Sequence, residues 1–588
     1  MRRLSRRKTE LPAPQGTARE SAPSDAGDRK IVAFGVFLTT IALAYFYAAD
    51  NYFFSTALMA PIFQYLLMVN DADTAWLMLG VCVLAAFWRS PAPFLKVADY
   101  LGAHEFQVAA LAAALCALGA IFIYHNNAFS MDEYAGVFQA KIFAAGRLTA
   151  HLPSSVIDWL VPPGFNGAFL VASRTTGSAI EAYWPGFSLL LAPFEFFGVP
   201  WFCNATLTGI AIVLVHRITL DITGDRRAAG WAIAFALCSG VFVADAISYY
   251  SMQAHMTANL LYAWLLLKPT PRRAFGAGVV GSLALVLHNP FPHTMFAAPW
   301  IVALARSDER RRFLFPLMLG YVPLLACVGV GWMYLRELVT AGDSGFNVIG
   351  NNLTAVFSLP DKSMVDMRVA ALVKMWVWAV PCLFLFAVLG RLRHGDDERV
   401  RLLMQSAIVT FCGYVFFIYD QGHGWGYRYF HSAWGVVPIL AGCALTGRTG
   451  ESARLASFAG AAAALSLIVI VPFQLMQIDR TISRHSAQLP PPKRPGNNVY
   501  FVRGDGGFYM GDLVQMDPLL RSQDLILFSG GTAKDAQLRR QNWPQAVLAE
   551  RSFGVEEWNL GARDQRVTSK SSTAAKHFEF AFSQAAAR

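Results

Sequence analysis

Charged residues are scarce in this sequence. Asp, Glu, Lys and Arg make up 15% of its 588 residues, whereas an ordinary soluble domain carries about a quarter. Apolar residues make up 55% and recur in runs of about 17–25 residues, the length that a helix needs to cross a bilayer. An ordinary soluble fold is therefore excluded, and the composition predicts an all-α polytopic membrane protein.

Cysteine is absent from the long polar segments. The eight cysteines all lie in apolar segments, at Cys82, Cys116, Cys203, Cys238, Cys327, Cys382, Cys412 and Cys443. A cysteine in an apolar segment usually packs as a small apolar residue. We therefore predict neither a disulfide framework nor a cysteine-based metal site.

The N-terminus lacks the immediate apolar core of a cleavable signal peptide. Residues 1–30 are basic and rich in Pro, Ala and Ser, a composition that predicts a disordered cytoplasmic tail. The first apolar run, from Ile31, is predicted to be an uncleaved anchor.

Apolar runs predict about thirteen membrane spans. They lie near residues 31–49, 74–89, 106–124, 202–218, 229–246, 255–267, 274–289, 294–305, 313–333, 371–390, 402–419, 431–446 and 455–477. Two further apolar stretches, 52–69 and 184–199, are predicted to lie at the membrane interface or to be re-entrant. The reason is charge, because a crossing by 52–69 would place the basic stretch 88–96 outside and invert the loops that follow.

The short loops between these spans differ in charge. The loops rich in Lys and Arg fall on one side, which the positive-inside rule assigns to the cytoplasm, and the three short loops on the other side contain a single such residue, Arg428. This distribution explains the net charge of +10 without nucleic-acid binding. Three longer segments, 125–201, 334–370 and 478–588, also fall outside, so we expect the protein to act on its outer face.

The C-terminal region predicts a small α/β domain over residues 478–566, followed by a tail over 567–588. Strands are predicted at 497–504, 524–531 and 545–553, with a helix over 532–543. The turn SGGTAKD before that helix could bind a phosphate, although a glycine loop with Thr532 as N-cap is the commoner use of such a turn. By its placement the domain is expected to lie over the functional site and to help select a substrate.

The stretch FSMDEYAGVFQAKIFAAGRL, residues 129–148, places two adjacent acids, Asp132 and Glu133, just after an apolar run. Ser130 and Glu133 fit a capping box, so an amphipathic surface helix is predicted over 131–145. The box accounts for Glu133 but not for Asp132. Two carboxylates at the lipid–water boundary could also take a proton from a hydroxyl or bind a divalent cation beside a phosphate, and the spacing leaves both interpretations open.

Four motifs resemble one enzyme superfamily. They are MDEYAGVFQAKIFAAGRL (131–148), YWPGFSLLLAPFEFFG (183–198), HNPFPHTMFAAPW (288–300) and GWGYRYFHSAWGVVPIL (424–440). They resemble the acidic, aromatic–proline, polar–proline and Gly-rich R-Y motifs of GT-C glycosyltransferases, in the branch of the protein mannosyltransferases and aminoarabinose transferases. The resemblance covers about 105–475, and the acidic and R-Y motifs are its more specific parts.

The resemblance implies a GT-C-like membrane domain over 31–477 and a polyprenyl-phosphate-linked sugar as donor. Such enzymes transfer the sugar, usually with inversion, to a glycan, lipid or protein acceptor on the non-cytoplasmic side. Asp132 matches the family's general base. Glu133 matches its neighbour, which assists in orientation or binds a divalent cation, here Mg²⁺ or Mn²⁺.

Donor-binding candidates follow from the charge of the leaving group. A departing lipid phosphate needs cationic or N–H donors, and Arg428, between Tyr427 and Tyr429, is the favoured one. The alternative is an interfacial arginine in an aromatic belt.

Three further residues are candidates for the donor site. His288 and His293 flank the polar–proline motif, at whose start this branch often has an arginine, but histidines near helix ends are more often structural. Lys141 lies on the predicted surface helix and could equally reach toward the lipid headgroups. Other outer residues rank lower: His255, His423, Asp158, Trp184 and Pro185.

Other classes of function remain open. An O-antigen ligase or polymerase also works on the outer face but typically has arginine-rich outer loops. A transporter or flippase usually has ionisable groups at mid-membrane and inverted repeats, and an inactive homologue could serve as a scaffold. The N-terminal tail, the family branch and the compact loops predict a bacterial inner-membrane protein with a cytoplasmic N-terminus and a periplasmic C-terminal domain.

Overall fold

The computed structural model describes residues 25–52, 61–162, 164–341, 356–446, 453–493 and 496–561. Most of the predicted N-terminal tail (residues 1–24), part of the second outer segment (342–355) and the predicted C-terminal tail lie outside the described residues.

Helices form most of the described chain, since only a helix lets a single apolar segment satisfy its own backbone N–H and C=O groups in a bilayer. In chain order they are α1 (Asp25–Tyr52), α2 (Pro61–Tyr65), α3 (Ala72–Phe87), α4 (Ala92–Ala103), α5 (Glu105–Phe122), α6 (Met131–Ala144), α7 (Ile157–Leu160), α8 (Gly186–Phe196), α9 (Phe202–Thr223), α10 (Arg226–Leu237), α11 (Gly240–Ile247), α12 (Met252–Leu267), α13 (Pro271–Val286), α14 (Phe291–Arg306), α15 (Leu314–Leu324), α16 (Gly331–Thr340), α17 (Lys362–Val377), α18 (Leu383–Arg393), α19 (Glu398–Val415), α20 (Arg428–Trp434), α21 (Val436–Ala444), α22 (Ala453–Leu465), α23 (Val471–Ser486) and α24 (Thr532–Asn542).

Short strands in the described chain form two sheets outside the apolar helices. They are β1 (Ala150–His151), β2 (Leu170–Ala172), β3 (Ser178–Glu181), β4 (Asn498–Val502), β5 (Asp524–Phe528), β6 (Val547–Ser552) and β7 (Val555–Asn559). The first three belong to the first outer segment and the other four to the C-terminal domain.

Six helical stretches of the described chain are long and apolar enough to cross a membrane: Arg29–Ala49, Ile62–Phe87, Glu105–Phe122, Phe202–Thr223, Arg311–Thr340 and Ala453–Ser486. The pair α10 and α11, bent by 64°, makes a seventh if it counts as one span. Other predicted spans coincide with shorter helices, such as α12, α13 and α14 with 16 residues each. The multi-pass helical fold is confirmed, and the predicted number of thirteen spans is not.

The first predicted interfacial stretch is largely part of a span. From Ile62, a short helix, a π-helical turn at Leu66–Asp71 and α3 form one continuous helix that ends at Phe87. The interfacial expectation for 52–69 is therefore wrong from residue 62 onward, and residues 53–60 lie outside the described chain. Because the stretch lengthens one crossing instead of adding another, the predicted sides of the later loops do not change.

The second such stretch, at 184–199, contains α8. This apolar helix has 11 residues, which gives a length of about 16 Å, too short for a bilayer core of about 30 Å. It packs along α6, where Ala140 shares an apolar cluster with Phe187 and Leu191. The length of α8 agrees with the predicted interfacial location.

The first outer segment forms a compact unit around α6. Its antiparallel sheet has the order β1-β3-β2, with Ala150 opposite Ala179 and Val171 opposite Ile180. One face of the sheet packs on Trp332 of α16. The sheet and α8 together fix α6, which carries the acidic pair, against the ends of the membrane helices.

The C-terminal domain contains the predicted elements in the predicted order. Its sheet has the order β5-β4-β7-β6, with β4 parallel to β5 and antiparallel to β7. The predicted boundary at residue 478 falls inside α23, which continues the last span to Ser486. Phe501 and Leu527 of the sheet share one apolar core with Tyr134 and Leu160 of the first outer segment, so this domain packs directly on that segment.

The N–H groups of the turn before α24 are bound by a side chain of that helix, Asp535. The helix begins at Thr532, which follows Gly531 and is not a side-chain N-cap. The Asp535 carboxylate accepts hydrogen bonds from the Gly530 N–H and from Nε1 of Trp159, both at 2.9 Å. Since these donors already bind a carboxylate, the suggested phosphate site is not supported.

Candidate functional site

Asp132 lies in the first turn of α6, just after the extended backbone of Ser130 (φ −136°, ψ 165°). Its carboxylate accepts hydrogen bonds from two side chains that are distant in sequence. Nη2 of Arg428 lies 2.5 Å from one oxygen, and the Tyr183 hydroxyl donates to the other. The Asp132 side chain remains 17% exposed, so the structure brings the two most specific motifs together at a partly accessible point.

The neighbours of Asp132 favour its ionised form. Burial alone would raise its pKa, but the Arg428 guanidinium, His288 and the Tyr183 hydroxyl together lower that pKa below its ordinary value. Asp132 is therefore a carboxylate at neutral pH, paired with a cation. A carboxylate can accept a proton, and its partner can bind a second anion.

Arg428 is fixed by the loop that precedes α20. The Gln421 side-chain oxygen accepts the Arg428 backbone N–H at 2.9 Å, and the Gln421 backbone oxygen accepts Nε at 3.0 Å. The rings of Tyr250 and Tyr429 lie 4.7 and 5.6 Å from the guanidinium carbon, distances at which an aromatic face stabilises a cation. The side chain is thus oriented on three sides and points at Asp132.

The other aromatic neighbour, Tyr427, faces away from the pair. Its hydroxyl accepts a hydrogen bond of 3.2 Å from Arg368 of α17. Arg368 also donates to the backbone oxygens of Phe417 and Tyr419. Tyr427 and Arg368 therefore fix the loop that carries Arg428, whereas Tyr429 contacts Arg428 itself.

The short helix α20 is anchored by buried polar contacts. Nδ1 of His431 lies 2.9 Å from Oδ2 of Asp245 on α11, and both side chains are fully buried. Nδ2 of Asn259 on α12 donates to the Ser432 backbone oxygen at 3.0 Å. Two neighbouring helices thus determine where α20, and with it Arg428, begins.

Glu133 does not form the predicted capping box. The Ser130 hydroxyl contacts the Tyr250 hydroxyl at 3.1 Å instead of capping α6. The Glu133 oxygens accept the backbone N–H groups of Phe129 and Tyr249, both at 2.8 Å. Burial raises the pKa of Glu133 to about 8, although these hydrogen bonds lower it. Glu133 therefore ties the start of α6 to the segment between α11 and α12.

Both members of the acidic pair already have partners within the protein. Both Glu133 oxygens already accept backbone N–H groups, and Asp132 is neutralised by Arg428. In the part of the chain that the structure describes, no group of three or more His, Cys, Asp and Glu is arranged to bind a metal. These contacts give no support to the predicted metal role of Glu133.

The two histidine candidates differ in place. The His288 ring lies 3.8 Å from the Tyr183 ring, next to Asp132, and burial lowers the pKa of His288 to about 4, although Asp132 raises it. It is therefore neutral at neutral pH. His293 is engaged at both ring nitrogens, by Asn259 and Tyr321 at 2.7 Å each, so its contacts do not support a donor-binding role.

Lys141 is not at the site. It follows Asp132 by nine residues on the same helix, which corresponds to about 14 Å along the axis. Its charge acts on Glu195 of α8. The contacts of Lys141 therefore give no support to its predicted donor-binding role.

Three of the lower-ranked outer residues, Asp158, Trp184 and His423, have structural partners. Asp158 pairs with Arg174 at 2.8 Å, and both side chains are at least half exposed. The Trp184 backbone N–H donates to the His288 backbone oxygen at 3.0 Å, and Pro185 directly precedes α8. His255 is fully buried in α12, and His423 contacts the C-terminal domain.

Several residues of the site were not found from the sequence. Tyr183 belongs to the aromatic–proline motif, in which the sequence points only to Trp184 and Pro185 as candidates. Gln421 and Tyr250 lie in short outer loops without a distinctive pattern. Arg368 was counted in a long outer segment. No spacing rule could connect these residues to Asp132, because they lie 51 or more positions away in the chain.

Comparison with known proteins shows a similar fold. No protein-family profile and no curated protein matches the chain. The crystal structure of ArnT from Cupriavidus metallidurans bound to undecaprenyl phosphate is similar, with a TM-score of 0.50 and 13% identity, over 77% of this chain and 98% of that chain. This chain has the fold of ArnT. Apo ArnT from the same organism aligns with a TM-score of 0.46 and 13% identity, over 74% of this chain and 93% of that chain. The similarity supports the membrane-protein fold that the sequence motifs implied.

Proposed function

We propose that this protein is a glycosyltransferase that moves a sugar from a polyprenyl-phosphate donor to an acceptor hydroxyl. The observation that carries this proposal is the Asp132–Arg428 pair, with a nitrogen–oxygen distance of 2.5 Å, at a partly exposed point between outer loops. A base and a cation in contact are the two groups that the reaction needs. The ArnT structure, which has the same fold and binds undecaprenyl phosphate, supports a lipid phosphate as the ligand.

In the proposed reaction the acceptor oxygen attacks the anomeric carbon of the sugar. The bond from that carbon to the phosphate oxygen breaks, and the lipid phosphate leaves with the electron pair. Asp132 accepts the proton of the acceptor hydroxyl, while Arg428 stabilises the negative charge on the leaving phosphate. Attack opposite to the leaving group would invert the anomeric centre.

Donor binding would also activate the base. The phosphate competes with Asp132 for Arg428, and Arg428 is a cause of the lowered pKa of Asp132. When the phosphate takes over Arg428, burial of Asp132 is no longer offset by that charge, so the pKa of Asp132 rises and the carboxylate becomes a stronger base. The site would thus prepare its base only when the donor is present.

The setting of the reaction belongs to the same proposal. The charge of the short loops supports an outer, periplasmic site in a bacterial inner membrane, with about thirteen spans, a cytoplasmic N-terminus and a C-terminal domain in the periplasm. Glycan, lipid and protein acceptors all carry suitable hydroxyls. A divalent cation remains a prediction from the resemblance, and transfer that persists in EDTA would oppose it.

The proposal is tested by sugar transfer in membranes supplied with radiolabelled polyprenyl-phosphate sugars. Asp132→Asn keeps the shape of the side chain but cannot accept the proton, so we expect transfer to fall roughly 100- to 10,000-fold. Asp158→Asn is the matched control, since this acid of the same segment pairs with an exposed arginine.

Two outcomes would oppose the proposal. Full activity of Asp132→Asn would show that Asp132 is not the base. If the wild-type protein transfers no sugar from any such donor, a transporter or scaffold function becomes the better explanation.

A further inference from the structure

A short piece of the C-terminal domain contacts both sides of the Asp132–Arg428 pair. This piece, residues 509–517, is called the bridging segment; it includes the 3-10 turn Met510–Leu513 and lies between β4 and β5. On one side it contacts α6, which carries Asp132. On the other it contacts the loop 420–427, which leads into Arg428.

The contact with α6 is made by Tyr134, two residues after Asp132. The Tyr134 hydroxyl donates to the backbone oxygen of Met516 at 2.6 Å and accepts the Met516 N–H at 2.9 Å. Both hydrogen bonds are buried. Nε2 of Gln515 also donates to the Ala128 backbone oxygen at 2.7 Å, so the bridging segment is attached on both sides of the first turn of α6.

The contact with the loop is made by Asp512. Its Oδ2 lies 2.9 Å from Nε2 of His423, and the two side chains are 6% and 12% exposed. The atoms are close but not aligned for a hydrogen bond, so this is a close contact between two polar side chains and not a directional hydrogen bond. The His423 ring also packs edge to face on Tyr509 and Phe129, with centroids 4.8 and 5.1 Å apart.

The loop is rich in glycine, so fixing its backbone in one shape costs conformational entropy. Gly422, Gly424 and Gly426 all have positive φ, at 59°, 115° and 58°. Glycine loses more conformational freedom on folding than any other residue, and the loop has no regular backbone hydrogen bonds to offset that loss. Its shape therefore depends on side-chain contacts. Gln421 of the loop itself donates to the Gly424 and Gly426 backbone oxygens, and His423–Asp512 is a contact from outside the loop.

The bridging segment is itself fixed to the membrane domain. Tyr509 has a left-handed backbone (φ 52°), which is uncommon for a residue other than glycine and persists where the surroundings impose it. Its hydroxyl accepts the Ile62 N–H at 2.9 Å, and its backbone oxygen lies 3.1 Å from Nε2 of His485. The bridging segment is thus held in place between α6, which carries Asp132, and the loop that leads into Arg428.

We propose that the bridging segment positions Asp132 and Arg428 relative to each other, through Tyr134 and Asp512. This proposal rests on the proposed function. It makes the C-terminal domain a part of the catalytic geometry and not merely a cover that selects the acceptor. Tyr134 and Asp512 are positioning residues, since neither contacts the reacting atoms.

The kinetic test compares Tyr134→Phe and Asp512→Asn in the full chain. Tyr134→Phe displaces the base, so we expect kcat to fall roughly tenfold with little change in the KM for the donor. Asp512→Asn loosens the loop of Arg428, so we expect the donor KM to rise by a similar factor. Parallel losses that follow the melting temperature in both variants would overturn the proposal.

Matched controls are available in the same domain. Tyr500→Phe removes a hydroxyl that bonds to no described residue and keeps the ring in the apolar cluster that Tyr500 shares with Met510 and Val514 of the bridging segment. Asp505 is an exposed acid that pairs with Arg503. Neither Tyr500→Phe nor Asp505→Asn should change kcat or KM. In an Asp132→Asn background, Tyr134→Phe should cause no further loss, and an additive loss would show that Tyr134 does not act through Asp132.

Hydrogen exchange separates this proposal from the proposed function, because it needs no activity. Amides of 129–134 should exchange faster in Tyr134→Phe, amides of 421–428 faster in Asp512→Asn, and neither in Tyr500→Phe. If the wild type transfers no sugar, the proposed function fails while the exchange data still decide on the bridging segment. Unchanged exchange in both variants would overturn the positioning role.

Discussion

The two partners of the candidate ion pair are held in different ways. Asp132 lies in the first turn of a 14-residue helix. Its neighbour Glu133 accepts the backbone N–H of Phe129, just before that helix, and of Tyr249, in the segment between α11 and α12. Arg428 follows a loop with three glycines of positive φ, whose shape depends on side chains such as Gln421 and Arg368. The candidate base is therefore carried by a helix and the candidate cation by a glycine-rich loop, so similar substitutions on the two sides should have unequal effects.

Beyond Asp132→Asn itself, the largest effect is expected when the cation is removed. Arg428→Gln deprives the leaving phosphate of its donor, and we expect transfer to fall roughly 100- to 1,000-fold. The same change removes a charge that lowers the pKa of Asp132, so the acid limb of the kcat/KM profile should move to higher pH. Steady-state kinetics across pH checks both effects.

Arg174→Gln is the control for this experiment, because Arg174 pairs with an exposed acid away from the site. An unchanged acid limb in Arg428→Gln would mean that Asp132 is not the group whose ionisation limits the rate.

An intermediate effect is expected from the same change made on each side. In Gly424→Ala the new Cβ would lie 2.9 Å from Cδ of Arg428, at φ 115°, whereas in Gly146→Ala, after α6, it would meet no atom within 4 Å, at φ 70°. Each variant should lose about 1–2 kcal/mol of stability, because alanine is strained at positive φ. Only Gly424→Ala should also lose transfer, by roughly tenfold, since it displaces Arg428.

Melting temperatures and transfer rates of the two glycine variants, measured side by side, check this prediction. If Gly424→Ala and Gly146→Ala have equal transfer activity, the position of Arg428 does not depend on the loop more than the position of Asp132 depends on its helix.

The smallest effect on activity is expected at Glu133. Its pKa is raised by burial to about 8 in the folded protein, so the folded state keeps its proton to higher pH than the unfolded chain does. The stability from this group is full below the ordinary pKa and is lost as pH rises through about 8. Thermal unfolding should show that loss in the wild type and not in Glu133→Gln, with transfer changed by less than about fivefold.

If the two proteins show the same pH dependence of melting between about pH 5 and pH 8, Glu133 is ionised in the folded state. A large loss of transfer in Glu133→Gln at unchanged stability would instead restore the direct role that the motif resemblance implied for it.

Much of the fold followed from local patterns. The predicted spans coincide with helices because apolar runs have one stable conformation in lipid. Strands β4, β5 and β6 of the C-terminal domain lie where β-branched and aromatic runs predicted them, whereas β7 was not predicted. The capping box at Ser130 failed because its pattern fits any helix start, while Glu133 found a partner in Tyr249, more than a hundred positions away. The stretch 52–69 failed because its apolar part continues into the next span.

By itself, the sequence determined that the protein is multi-pass and helical, that its long polar segments are distinct from its short basic loops, and that Asp132 and Arg428 are the residues to examine. Only the tertiary structure decided that these two form a pair, that Tyr183 completes it, and that Glu133 and His293 serve as structural contacts. The physical reason is the distance along the chain over which each effect acts. Hydropathy and helix periodicity act over a few turns of chain, whereas the pKa and orientation of a carboxylate depend on whichever charges and hydroxyls the fold brings within hydrogen-bonding distance.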